Sequence, residues 1–136
     1  MSDFNYMKNL DAIGKKLIDL VGDTIKVGLC TAAYTADVNA DEFLSAVGSA
    51  MVQAAALTTK SLTGGVFDAD DATLAAVPAG STITQFILYQ DTGSPATSRL
   101  IRHFDSYSGL PFLTNGLDVV ITWPSGSNKI FAFVNA

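Results

Sequence analysis

The chain has 136 residues, 49% of them apolar and 15% charged, with a net charge of −5 and a single cysteine, Cys30. That length and apolar share suit one core, so 1–136 reads as a single domain, and the few scattered Lys and Arg residues argue against nucleic acid, whose phosphates need clustered positive charge. A lone Cys makes no intrachain disulfide or cysteine-based zinc site, and neither a signal peptide nor a run of roughly 20 apolar residues for a membrane helix is visible, so synthesis in a reducing cytoplasm without a membrane partner is expected.

Phe4, Met7, Leu10, Ile13, Leu17, Leu20 and Val21 recur at steps of three and four, which predicts an amphipathic helix over 3–21. Ser2 or Asp3 can cap its start and Gly22 can end it in the left-handed region, while Gly14 weakens its middle. Its apolar stripe needs cover from the body of the chain or from a neighbour. After Gly22 the period becomes two. Ile25, Val27 and Leu29 alternate with Lys26, Gly28 and Cys30, as in a half-buried strand.

A short helical turn is expected over 41–47, followed by strands over 51–58, 82–90, 98–105, 117–123 and 129–134, with weaker ones over 62–67 and 73–77. Gly64-Gly65, Pro78-Ala79-Gly80, Asp91-Thr92-Gly93-Ser94-Pro95, Asn115-Gly116 and Pro124-Ser125-Gly126 supply the turns between them. Short strands at this spacing predict a mainly β chain, an antiparallel β-sandwich of jelly-roll-like form with one N-terminal α-helix. The period-two residues Ile25, Val27, Leu29, Ile83, Ile87, Val119, Ile121 and Trp123, with alternate positions of 129–134, make the expected core.

Two strands are apolar on both faces: Phe86 and Leu88 oppose Ile83 and Ile87, and Phe131 and Phe133 oppose Ile130, Ala132 and Val134. Their second faces need cover from the helix, a loop or another protein chain, because a broad apolar patch is unusual on a free monomer. Together with the helix stripe this gives a candidate interface of Phe4, Met7, Leu10, Leu17, Phe86, Leu88, Phe131 and Phe133. The mean hydropathy of +0.32 fits a chain part of whose surface is covered by a partner or whose core is well filled.

Signatures of chemistry are sparse. His103 is the only histidine, so paired-His metal sites are excluded and one candidate general base remains, read as a surface or edge imidazole. No nucleophile elbow or dinucleotide fingerprint occurs, and Gly14-Lys15-Lys16 lacks the rest of a phosphate loop. Asp68, Asp70 and Asp71 form the densest carboxylate cluster and offer oxygen ligands to calcium, but without the glycine and distal Glu of an EF-hand they read as a solvated turn. Asp37, Asp41 and Glu42 read likewise, with Asp41 a cap for the turn holding Phe43 and Leu44. Tyr34, Tyr107 and Trp123 could offer flat faces to a sugar, although Trp123, at the end of the Leu117, Val119, Ile121 face, better serves to close the core. The expectation is a non-enzyme without catalytic residues, cofactor or metal.

The segments Asp23-Thr24-Ile25-Lys26-Val27, Glu42-Phe43-Leu44, Tyr89 with Asp91-Thr92-Gly93, and Thr97-Ser98-Arg99-Leu100-Ile101 stand in a recognisable order. Gly109-Leu110-Pro111, Asn115-Gly116, and Trp123 followed by Gly126-Ser127-Asn128-Lys129-Ile130-Phe131 continue it. In these turn and strand markers most of the chain resembles a group of small virion-associated proteins of tailed bacteriophages; the helix before Asp23 is the divergent part. The resemblance implies a virion structural component, first a capsid decoration or cement protein on the capsid surface. The major capsid protein and copies of itself, arranged as trimers, would be its partners. A tail, neck or baseplate component is the alternative within the virion, and a host-surface or carbohydrate-binding β module the alternative outside that class.

Overall fold

The structure, a computed structural model, describes residues 3–123 and 129–132; Ser2, the turn at Pro124-Ser125-Gly126, Phe133 and Val134 lie outside them. The elements in chain order are β1 (Phe4–Asn5), α1 (Met7–Gly14), β2 (Ile25–Cys30), β3 (Met51–Ala56), β4 (Ser61–Thr63), β5 (Val66–Asp68) and β6 (Ala72–Leu74). They continue with β7 (Thr82–Ile83), β8 (Gln85–Gln90), β9 (Leu100–Phe104), β10 (Phe112–Leu113), β11 (Val119–Ile121) and β12 (Phe131–Ala132). The described chain is mainly β, its strands pair antiparallel, and α1 is its one α-helix.

The helix is far shorter than the expected 3–21. Phe4 and Asn5 are drawn into a strand instead, paired with His103 and Arg102 of β9. Tyr6, extended at the helix N-cap, turns its whole side chain inward. At the other end Gly14 lends no side-chain support, and Lys16 enters the left-handed region at φ 63° while Leu17 N–H bonds back to the carbonyl of Ala12. Beyond it, Asp19 Oδ1 accepts the N–H groups of Val21 and Gly22, closing a turn that buries Ile18 and Leu20 and leaves Leu17 and Val21 outside.

One five-stranded antiparallel sheet, in the order β1-β9-β8-β2-β3, organises everything else. Its registers align Val27 with Leu88, Leu29 with Phe86 and Phe86 with Phe104, so one face is apolar across the three inner strands except at Arg102, which stands opposite Leu88. That face meets a layer of three short ladders, β4-β5-β12, β6-β11 and β7-β10, which contribute Phe67, Leu74, Ile83, Ile121, Trp123 and Phe131 to the same core. The packing is sandwich-like and open, because the second layer is three separate pieces and not one sheet. Two predicted strands divide here. The 82–90 stretch breaks at Thr84, sending β7 to the outer layer and β8 to the main sheet, and 62–67 folds as the hairpin β4-β5 around Gly64 and Gly65, both at positive φ as a tight hairpin turn requires.

The other face of the sheet is buried too. Cys30, Ile87, Tyr89 and Leu100 lie beneath Tyr6 and beneath Tyr34, Leu44, Val47 and Ala50 of the segment between β2 and β3, which carries the 3-10 turns Leu44–Ala46 and Gly48–Ala50. β2 is therefore not the half-buried strand its alternation suggests: Gly28 and Cys30 are as enclosed as Val27 and Leu29. Gly28 leaves room on this face for the Met51 side chain of the neighbouring β3, since a Cβ there would stand 2.5 Å from Met51 Sδ and 3.5 Å from Ile87 Cγ1 of β8.

Two opposed terms then decide the effect of Gly28→Ala. Alanine reduces the entropy of the unfolded chain, a gain of about 0.4–1 kcal/mol, while overpacking against Met51 costs about 1–3 kcal/mol. Gly28→Ala is expected to destabilise the protein when Met51 is present and to stabilise it in a Met51→Ala background. Urea denaturation of the four proteins of that cycle measures the coupling, and an unchanged effect in both backgrounds would show that Met51 is not what glycine accommodates.

Candidate contact surface

α1 turns Asn9 and Ala12 inward and packs Ile13 partly against the core. Met7 and Leu10, one helical turn apart on its outer side, are left 48% and 39% exposed, and Leu17 just beyond the helix is 46% exposed. The backbone presenting them is held in place by the bond from Met7 N–H to the carbonyl of Val38, 2.9 Å. Phe4 is half-buried, its ring stacked on the His103 imidazole at 4.8 Å and set edge-on to Tyr6 at 5.3 Å.

The structure thus divides the candidate interface. Met7, Leu10 and Leu17 face outward and Phe4 reaches the surface in part. Phe86, Leu88 and Phe131 do not belong there: the outer ladders cover Phe86 and Leu88, Phe131 is carried inward by the β12 ladder itself, and each is buried in this chain's own core. Phe133 lies outside the described residues. A second exposed apolar set, Leu113, Leu117 and Val120, was not expected. The alternation Leu117, Val119, Ile121 assigns Leu117 to the inner face, yet β11 begins only at Val119 and Leu117 sits in the preceding turn.

The residues considered for chemistry are bound into the framework. His103 is 4% exposed, not a surface or edge imidazole, and its Nε2 lies 2.7 Å from Gln85 Oε1. Since Gln85 Nε2 donates to the carbonyls of Thr31 and Tyr34, both at 2.8 Å, the remaining amide oxygen must accept, so His103 carries its proton on Nε2. The three carboxylates of 68–71 serve separate partners: Asp68 pairs with Lys129, Asp70 accepts from Thr59 Oγ1, and Asp71 accepts the Trp123 N–H. Among the described residues no group of three His, Cys, Asp or Glu side chains is close enough to hold a metal. Asp41 does not cap the turn holding Phe43 and Leu44, whose N-cap is Phe43 without a side-chain bond; its Oδ2 accepts the upstream Asp37 N–H at 2.9 Å instead, and Glu42 pairs with Arg99, whose guanidinium covers the Phe43 ring. Of the three rings considered for a sugar, Tyr34 and Trp123 are buried, and Tyr107 turns its hydroxyl to the backbone of Thr122.

Beneath the covering segment runs a buried chain of hydroxyls. Tyr6 donates to Tyr34, and Tyr34 donates to Asp41 Oδ2, each at 2.7 Å. Burial pushes both phenols well above their ordinary range, with the bonds to Tyr6 and Asp41 adding to the rise at Tyr34. Burial likewise pushes the Tyr89 phenol up to about 12, helped by nearby Asp91, and the Cys30 thiol up to about 12. Compared with models of known protein families the chain matches none, and the curated proteins contain no match to it.

Two outcomes follow from this buried chemistry. His103→Ala strips from Gln85 Oε1 its one side-chain donor among the described residues and is expected to cost about 1–3 kcal/mol in a denaturant titration; an unchanged midpoint would mean that the pair does not hold β8 to β9. The second concerns alkali. In the unfolded chain the thiol ionises near pH 9 and the phenols near pH 10, whereas in the fold all are raised, so stability is intact below that range and falls as pH rises from 9 towards 12. Each phenol steepens that fall by at most about 1.4 kcal/mol per pH unit. Tyr34→Phe should give a shallower decline of the urea midpoint between pH 10 and 12, and an identical slope would remove Tyr34 from the account.

Proposed function

We propose that this chain is a structural protein of a tailed-bacteriophage virion, a capsid decoration or cement protein that strengthens the head shell. The observation that carries the reading is the open apolar set of Met7, Leu10 and Leu17 on a chain whose main sheet is otherwise covered on both faces. Such a domain has no need of a partner for its core, and its remaining apolar side chains are free to bind one. Its resemblance to small phage virion proteins supplies the setting. The partners are then the major capsid protein and further copies of this chain, with a trimer the arrangement to test, and the location is the capsid surface.

Shell strengthening of this kind requires no catalysis. Each contact removes apolar area from water at about 25 cal/mol per Å² before the costs of association, and many weak contacts across capsomer junctions add up along the lattice. The net charge of −5 keeps the free protein dispersed before assembly. The same surface would serve a tail, neck or baseplate subunit, and location in the particle separates the two. The carbohydrate-binding reading loses support, since Tyr34 and Trp123 are buried.

The test joins location to function. A Met7→Asp, Leu10→Asp, Leu17→Asp variant is expected to fold with a near-normal denaturation midpoint, because these positions are exposed, yet to be lost from purified particles. Shells lacking the protein should then break at lower temperature or on dilution into low salt. Wild-type incorporation of the folded variant would reject this surface as the contact. Shells equally robust without the protein, with its density confined to the tail, would replace decoration by the tail reading.

A further inference from the structure

At one end of the sheet, where β9 and β12 approach the loop after β9, a cleft of about 750 Å³ opens, within the usual size of a ligand pocket, roughly 300–1,000 Å³. Phe104, Tyr107, Trp123 and Phe131 give its walls an apolar, aromatic character, and Arg102, Lys129 and Asp3 are the charged groups on them. Two of the charges are already engaged. Lys129 pairs with Asp68 at 3.3 Å, and Asp3 Oδ1 accepts the N–H groups of Asp105 and Ser106.

Arg102 is different. Its guanidinium lies over the rings of Phe104 and Phe131, at 5.2 and 5.8 Å from their centroids, so its plane is held in a fixed attitude. It makes one hydrogen bond among the described residues, from Nη1 to Asn5 Oδ1 at 2.9 Å, and its Nε is buried with no acceptor. A guanidinium has five N–H donors, so most of this fork has no acceptor among the described residues. On the same wall the indole Nε1 of Trp123, a residue 6% exposed, is also buried without an acceptor. Unfilled donors at a half-enclosed aromatic wall are costly unless an acceptor arrives.

We infer that this cleft binds a small free monocarboxylate with a flat apolar body, the carboxylate on Arg102 beside the Trp123 indole and the body against the aromatic wall. A carboxylate matches the planar fork with two parallel bonds, which an ammonium or a neutral amide cannot do. Asp3, a negative charge near Arg102 in the same space, repels every anion in proportion to its charge and so disfavours a dianion more than a monocarboxylate. The site is separate from the Met7, Leu10, Leu17 surface and does not depend on the virion reading.

Benzoate is the first probe, titrated into the full chain and followed by calorimetry and by the fluorescence of Trp123, the single tryptophan. Binding at about 1 mM or tighter is expected, with a change in Trp123 emission, and benzamide, of the same shape but uncharged, should bind at least about tenfold more weakly. Benzylammonium should not bind. Arg102→Lys keeps the charge but loses the fork and should weaken benzoate binding by about tenfold, while its denaturation midpoint reports whether the fold is intact. Absence of benzoate binding to the wild-type chain would mean that water alone fills the cleft and would overturn the inference, and equal binding of all three probes would show an apolar hollow in which Arg102 plays no part. Binding of N-acetylphenylalanine about tenfold tighter than benzoate would overturn the free-acid assignment in favour of a chain terminus.

Discussion

The structure depends on one central strand that water cannot reach from either side. All six residues of β8 are buried, with β2 hydrogen-bonded along one edge and β9 along the other. A strand in that position needs an apolar layer above and below, and a chain of 136 residues must find both within itself or borrow one. Here it finds both. Phe86 and Leu88 face the layer of short ladders, and Ile87 and Tyr89 face the segment between β2 and β3 with its two 3-10 turns.

The same constraint explains where the buried polar side chains fall. β8 begins and ends with glutamine, and each amide fastens a covering segment to the sheet. Gln85 donates to the carbonyls of Thr31 and Tyr34 on one side, and Gln90 donates to the carbonyl of Leu17 at 3.1 Å and to Asp23 Oδ2 at 2.7 Å on the other. Tyr6, Tyr34, Asp41 and His103 extend this net beneath the cover. Buried donors and acceptors that find one another fix a single arrangement of loops that have little regular structure of their own. The histidine that invites a catalytic reading is thereby committed to architecture.

A core closed in this way changes what the outside of the protein has to do. The second face of β8 gives no reason to invoke a neighbour, and the exposed apolar side chains lie elsewhere, Met7, Leu10 and Leu17 in one set and Leu113, Leu117 and Val120 in another. Arg102 stands apart from this economy. It occupies the apolar face of the central sheet, stacked on two phenylalanines, yet among the described residues its one hydrogen-bond acceptor is Asn5 Oδ1 and its Nε is buried without one. That combination of fixed placement and unfilled bonding marks a position shaped for something beyond the fold.

The sequence by itself determined the mainly β character, the position of β2, a helical turn within 41–47 and nearly all of the expected core, because alternation of Ile25, Val27 and Leu29 and the Gly, Pro and Asp punctuation are local signals that sterics enforce residue by residue. The helix was only partly legible. Leu17, Ile18, Leu20 and Val21 satisfy a period of three or four and a period of two equally well, and the choice fell to Ile18 and Leu20 once Phe4 and Asn5 had paired with β9 and Tyr6 had found Tyr34. The division of 82–90 into two strands, the covering of both faces of β8 and the burial of His103 were likewise decided in three dimensions. The Arg102 cleft was too, since its walls come from residues over a hundred positions apart in the chain, Asp3 and Trp123 among them. A periodicity records that a face must be covered; which segment covers it depends on contacts between residues far apart in sequence, and those exist only when the chain has folded.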